Sequence, residues 1–282
     1  MSFYPTIDII ELIGMNDIGF GLKKEYKSIE RNIEDIRKER KICRHINACA
    51  KMGNMRYLKY LHENGCEWVS TCSFAAYGGQ IECLRYVHDN GCEWDERTCD
   101  HAAKAGQIEC LRYLHENGCK WDEDACECAA GTGHIECLRY LHENGCKWDA
   151  GTCINAAGNG RIGCLRYAHE NGCPWNEGTC IYAAERGQIE CLRYLRENGC
   201  PWNEWTCRYA AGNGQIECLI YAHENGCKWN RWTCYYAAEN GQIECLRYAY
   251  ENGCKWDDME YVMKSQGECK EYYERHMKKM KR

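Results

Sequence analysis

Apolar residues recur along the chain at helical spacing, in paired short stretches separated by glycine. In the segment 94–120, Cys99, Ala102 and Ala103 stand three and four positions apart, which places them on one helical face. Asp95 precedes them as an N-cap, with Thr98 three residues on. Gly106 ends that helix as a left-handed C-cap. Ile108, Leu111 and Leu114 mark the apolar face of a second helix, which Asn117-Gly118 closes. No run alternates with period two over the length of a strand, so the pattern predicts helices and no sheet.

The same two-helix string recurs along most of the chain. Trp68, Trp94, Trp121, Trp148, Trp175, Trp202, Trp229 and Trp256 mark its start, at spacings of 26 residues once and 27 residues six times. The short first step is one residue lost between Trp68 and Cys72. A period of this size predicts a solenoid of stacked hairpins. Paired alanines on the first helix allow close approach of neighbouring helices, and Leu and Ile on the second supply bulk. One hairpin cannot bury both faces alone, so neighbours must stack and the end units need polar outer faces. The repeats are expected over residues 44–256. Residues 1–43 are expected to form an N-terminal helical cap, with Ile29, Ile33 and Ile36 as its apolar stripe. Residues 257–282 are expected to form C-terminal capping helices, made polar by Glu268, Lys270, Glu271, Glu274 and Lys278, with a basic tail.

The stretch Thr98–Leu114 (T-C-D-H-A-A-K-A-G-Q-I-E-C-L-R-Y-L) resembles the core of the ankyrin repeat, and Asn117-Gly118-Cys119 resembles the x-G-A that follows it. The narrower form T-C…E-C-L-R-Y…N-G-C-x-W is similar to ankyrin-like repeats of giant DNA viruses and some protists. This resemblance implies an all-α solenoid that binds proteins. An ankyrin unit has about 33 residues, and the shortfall here lies between Gly118-Cys119 and Cys126, where ankyrins build a hairpin finger. The finger is therefore expected to be trimmed to a short loop pinned by the tryptophan. The Pro5–Ile29 segment weakly resembles a shortened F-box, without the tryptophan usual near that module's end. That resemblance implies an adaptor that docks a ubiquitin-ligase subunit and holds substrate on the repeats.

Charge and cysteine content narrow the function. The net charge is −6, and the one basic cluster is the tail Lys278, Lys279, Lys281 and Arg282, so nucleic acid is not expected as the main ligand. Met1–Thr6 lacks the basic start of a secretory signal, and no uncharged apolar run approaches membrane-spanning length. The 26 cysteines are accordingly expected as reduced thiols in the cytoplasm, of a host cell if the chain is viral, or in a virion. Most units carry three, as Cys99, Cys110 and Cys119, with no C-x₂-C pairing for zinc. They read as small buried hydrophobes.

A histidine ladder on the second helix, His62, His88, His115, His142, His169 and His223, reads as a repeated packing or hydrogen-bonding position. Glu and Arg three apart on that helix are expected to pair within or between units. No nucleophile elbow, phosphate loop or H-E-x-x-H is present, so no catalytic, metal or cofactor residues are assigned.

Specificity is expected where otherwise similar units differ. One first-helix position runs Phe74, His101, Cys128, Asn155, Tyr182, Tyr209, Tyr236, and the position four earlier runs Ser70, Arg97, Asp124, Gly151, Gly178, Trp205, Trp232. Residues four apart share a face, so Trp205 is expected over Tyr209 and Trp232 over Tyr236. With Tyr182 and Tyr235 they form a candidate aromatic surface for a partner protein, since interface hot spots are rich in Trp and Tyr.

Overall fold

The computed structural model describes residues 41–255, 268–272 and 274. The expected N-terminal cap up to residue 40, the F-box-like segment and the basic tail lie outside the described residues.

Helices follow one another in pairs. The first helices are α1 (Lys41–Met52), α3 (Thr71–Tyr77), α5 (Glu96–Lys104), α7 (Glu123–Thr132), α9 (Ala150–Gly158), α11 (Glu177–Glu185), α13 (Glu204–Gly212) and α15 (Arg231–Glu239). The second helices are α2 (Met55–Glu63), α4 (Ile81–Asp89), α6 (Ile108–Glu116), α8 (Ile135–Glu143), α10 (Ile162–Glu170), α12 (Ile189–Glu197), α14 (Ile216–Glu224) and α16 (Ile243–Glu251). No strand occurs among the described residues, and the expected trimming of the finger is complete.

Local sequence sets each helix end. Asp95 and Thr98 form a reciprocal capping box at the start of α5, as Asn176 and Thr179 do at α11. Gly106 adopts φ +72°, and the next amide, Gln107 N–H, reaches back to the Ala102 carbonyl at 2.9 Å. That closure satisfies a carbonyl the helix end would otherwise leave open. At the shortened first step, Ser70 is the one non-glycine described residue with positive φ, +57°, and its side chain does not cap α3. The missing residue removes the extended N-cap that Asp95, Asp149, Asn176, Asn203 and Asn230 provide elsewhere.

The chain falls into two compact units, Met1–Ala125 and Cys126–Arg282. In the first, α3 packs between α1 and α5; in the second, α9, α11, α13 and α15 pack in succession. The alanine pairs that face these contacts are fully buried, as at Ala75-Ala76 and Ala210-Ala211. Second-helix leucines such as Leu111 and Leu192 are fully buried too, and each contributes about 1.5–3 kcal/mol.

Three kinds of joint recur between successive hairpins within each unit. Gln215 covers the bare α-carbon of Gly187, and Gln107 covers Gly79, so a methyl group at either glycine would collide with the glutamine carboxamide. The Arg193 guanidinium lies 4.7 Å from the centre of the Tyr221 ring, and Arg85 lies 4.5 Å from that of Tyr113. The arginine ladder thus stacks on tyrosines of the following hairpin, a relationship that helical spacing within one unit does not reveal. Finally, His169 Nδ1 and the Tyr194 hydroxyl are 2.9 Å apart, and His88 and Tyr113 repeat this at 3.2 Å. The histidine ladder is a packing and hydrogen-bonding position, as expected. Its rings also seat the loop tryptophans: Trp94 stacks on His88 at 3.5 Å and Trp229 on His223 at 3.6 Å.

The cysteines are core residues. Cys83, Cys110, Cys191 and Cys218 are at most 2% exposed, and no described cysteine is in a disulfide. Equivalent positions in successive units are not the ones that meet. Instead, the first-helix cysteine meets the one that follows the second helix of the same unit. Cys99 Sγ lies 3.2 Å from Cys119 Sγ, and the Cys72 amide donates to Cys92 Sγ at 3.2 Å. At the far end, Cys269 and Tyr272 are buried while Glu268 and Glu271 face solvent. Tyr272 meets Tyr250 at 6.2 Å between ring centres and Arg247 at 5.9 Å, the contact other arginines make with the next hairpin.

Candidate partner-binding surface

Conserved packing inside each hairpin leaves the outer positions of the first helices free to differ. The large exposed aromatics of the described chain all sit on first helices: Phe74 and Tyr77 on α3, Tyr182 on α11, Trp205 on α13 and Trp232 on α15. They are present in both units, and the denser set is in the second.

There the asparagine N-caps set the geometry. Asn203 Oδ1 accepts from the Trp205 amide at 3.0 Å, and Asn230 Oδ1 from the Trp232 amide at 3.0 Å. These bonds fix the backbone at the second residue of each helix, and the two tryptophans stand 40% and 41% exposed. Trp205 stacks on Tyr209 with ring centres 5.9 Å apart and planes 26° apart, as their spacing predicts. Trp232 does not lie over Tyr236. It meets Tyr235 edge-on at 5.4 Å, and Tyr235 meets Tyr236 edge-on at 5.3 Å. The reason is Arg208, whose guanidinium occupies the face of Tyr236 at 3.9 Å and turns Trp232 toward the residue three positions on.

Arg208 is the residue that the sequence pattern did not single out. Its carbon Cζ also lies 4.2 Å from the centre of Trp205 and 5.5 Å from that of Trp232. It draws five of the six candidates, Trp205, Tyr209, Trp232, Tyr235 and Tyr236, into one cluster across α13 and α15. Tyr182 remains 43% exposed on α11 and is not drawn into that cluster. Its Cβ stands close to Gly158 on α9, where a side chain would crowd it. The signal for Arg208 was present one column over. The position after the buried first-helix cysteine runs Ser73, Asp100, Glu127, Ile154, Ile181, Arg208, Tyr235, which varies as much as the columns that hold Phe74 and Ser70.

The first unit carries a separate groove of about 670 Å³, lined among others by Phe74, Tyr77, His101, Lys51, Arg97 and Lys104. Beside it Asp100, Asp122 and Asp124 bring carboxylate oxygens within 4.8 Å of one another. Burial first, then the neighbouring carboxylates, push Asp100 up to about 7. Asp122 and Asp124 are exposed, and acidic groups gather in this way on helical surfaces without an ion.

These stacked, strandless hairpins can be compared with known proteins. The family model described as ankyrin repeats (3 copies) matches residues 72–152 and 180–260. The chain belongs to the ankyrin repeat family. Among solved structures it is similar to the crystal structure of the human ASB11 ankyrin repeat domain, at 18% identity and a TM-score of 0.49 over 56% of this chain and 84% of that one. No curated protein matches the chain. Ankyrin repeats serve in general as scaffolds for protein–protein interaction. In these ankyrin repeats the finger is absent from the described residues, so the first-helix face is the surface that varies. No described helix is long and apolar enough to cross a membrane.

Proposed function

We propose that this chain is a non-catalytic scaffold that holds a partner protein on the first-helix face of its second unit, at the cluster Trp205, Tyr209, Trp232, Tyr235 and Tyr236, with Tyr182 at its margin. The observation that carries the reading is the pair of half-exposed tryptophans fixed at the starts of α13 and α15. Large aromatic side chains have few rotatable bonds to order on binding, and exposed aromatic patches on soluble proteins mark contact surfaces. The reading places the chain in a reducing, cytoplasmic compartment, where its 26 cysteines stay thiols.

The test is affinity capture from host-type lysate with the full chain, beside a variant carrying alanine at Trp205, Tyr209, Trp232 and Tyr236. A protein held by the parent and lost with the folded variant supports the reading, and equal capture by both overturns it. A ubiquitin-ligase subunit among the captured proteins would make the scaffold a substrate adaptor. Recovery of the chain alone would replace partner binding with a self-assembling structural role.

A further inference from the structure

The side chain of Arg208 is held by ring faces. Trp205 covers it at 4.2 Å and Tyr236 at 3.9 Å, from the two successive first helices. Rings on a guanidinium face take up its flat surface and leave its N–H groups pointing outward in the plane. Nε is buried and finds no acceptor among the described residues. The terminal nitrogens Nη1 and Nη2 are not buried in this way, and they remain as donors at the surface. A fork of N–H donors, aligned beforehand by aromatic walls, has the geometry that pairs with a carboxylate through two parallel hydrogen bonds.

The surroundings reinforce this. Arg231 lies 5.3 Å from the centre of Trp232 and Arg208 5.5 Å, so two guanidinium groups stand near that ring. A hollow of about 580 Å³ opens beside Trp232, with Arg231 and Lys255 among its walls. Glu239, at the end of α15, is already engaged, accepting a hydrogen bond from the Tyr235 hydroxyl at 3.0 Å. The cluster is therefore an apolar floor with positive charge in its middle, on a chain whose net charge is −6.

We infer that the partner presents a peptide segment with a carboxylate, an Asp or Glu side chain, that seats on Arg208 while an adjacent aromatic or aliphatic side chain packs on Trp205 or Trp232. This rests on the surface proposed above and names what that surface selects. The two terminal N–H groups of one guanidinium give a carboxylate a charge-assisted, bidentate pair of hydrogen bonds. A phosphoryl group would call for a cluster of guanidinium donors converging on one point, and of the two guanidinium groups near Trp232 only that of Arg208 also lies on Trp205 and Tyr236. Single-stranded nucleic acid would call for cations tracking a backbone, which this acidic chain does not supply along the face.

The full chain is panned against displayed random 12-residue peptides, and synthetic winners are measured by fluorescence anisotropy. The winners are expected to carry Asp or Glu within three positions of an apolar residue. Changing that Glu to Gln is expected to weaken binding about tenfold or more. Arg208→Gln should lose a similar factor and no longer distinguish the two peptides. Arg208→Lys, which keeps the charge and loses the fork, should retain an intermediate discrimination, and it serves should Arg208→Gln fail to fold by circular dichroism. Winners without acidic preference, or discrimination that survives in the folded Arg208 variants, overturn the inference. So does tighter binding of a phosphoserine version of the peptide or of labelled dT₁₂. Winners that still bind the four-alanine variant sink the surface itself. Winners lost with that variant but indifferent to the acid sink the carboxylate alone.

Discussion

His169 lies flat on Trp175, with ring centres 3.7 Å apart and planes 15° apart. Tyr194 closes the group edge-on at 6.4 Å from the indole. The loop that replaces the ankyrin finger is thus held by one stack per unit. Trp175→Ala is expected to destabilise the second unit by about 2 kcal/mol, through lost apolar burial and lost ring contact. His169→Arg should cost under about 0.5 kcal/mol, because Arg196 already fills the same slot over Trp202 at 4.6 Å. Urea unfolding followed by circular dichroism measures both, and a large cost for the arginine variant would contradict the stacking account.

Gly172 and Gly187 both adopt left-handed backbone, at φ +83° and +70°. They differ in what covers them: Gly172 faces open space and Gly187 lies under the Gln215 carboxamide. Alanine at either is expected to cost about 1 kcal/mol for the backbone alone. Gly187→Ala should cost about 1 kcal/mol more, for displacing Gln215. Adding Gln215→Ala should recover that excess and nothing beyond it. A double-mutant cycle reads the coupling directly. Strict additivity would show that the glutamine does not lock the joint.

Asp100 titrates where folding is sensitive to it. Its carboxyl stands at about 7 in the folded chain because of burial, then Asp122, Asp124, Asp95 and Glu96. The unfolded value is about 4. Between those values the folded state holds a proton that the unfolded state has released, so this group's contribution to stability falls as pH rises through the window. Asp100→Asn should flatten that slope and stabilise the first unit at pH 8 by an amount on the order of 1 kcal/mol, after allowance for solvent screening. Unfolding at pH 5, 6.5 and 8 for both proteins tests it. An unchanged slope in the asparagine variant would remove Asp100 from the account.

The thiols should be slow to react while the chain is folded. Burial pushes the Cys110 thiol up to about 12 and the Cys191 thiol up to about 11. The hydrogen bond with Cys227, and then burial, push Cys207 well above the ordinary thiol range. Thiolate is the reactive form, and at neutral pH these groups hold very little of it. Cys66 and Cys128, half-buried where the other described cysteines are buried, are expected to take up a maleimide first. The buried cysteines among the described residues should follow only as fast as hairpins open. Timed labelling with peptide mapping separates the two classes, and a denatured sample should give all 26. Rapid native labelling of Cys110 or Cys191 would contradict their packing.

The hairpins were legible in the sequence because everything that makes one is local. Asp95, Thr98, Gly106 and Gly118 lie within a single unit, and the Cys99–Ala103 spacing fixes the buried face before any neighbour is known. The joints were not legible, because they depend on which residues stacking brings together. Arg193 finds Tyr221, and Cys99 finds Cys119, at separations that no helical period contains. The candidate surface shows the same division. Trp205 over Tyr209 follows from one helix turn, whereas Arg208 entering from α13 takes the face of Tyr236 on α15 and sends Trp232 to Tyr235 instead.

The arginine–tyrosine joint is blind to anything but its immediate neighbour. Arg139 reaches Tyr167 at 4.7 Å and Arg166 reaches Tyr194 at 5.0 Å, one register repeated. Excising residues 149–175 would bring Tyr194 to Arg139 in the place Tyr167 now holds, and Trp148 would be followed by Asn176 as a ready N-cap. The shortened chain would keep this joint and lose Ile154 from the outward column that holds Ile181, Arg208 and Tyr235.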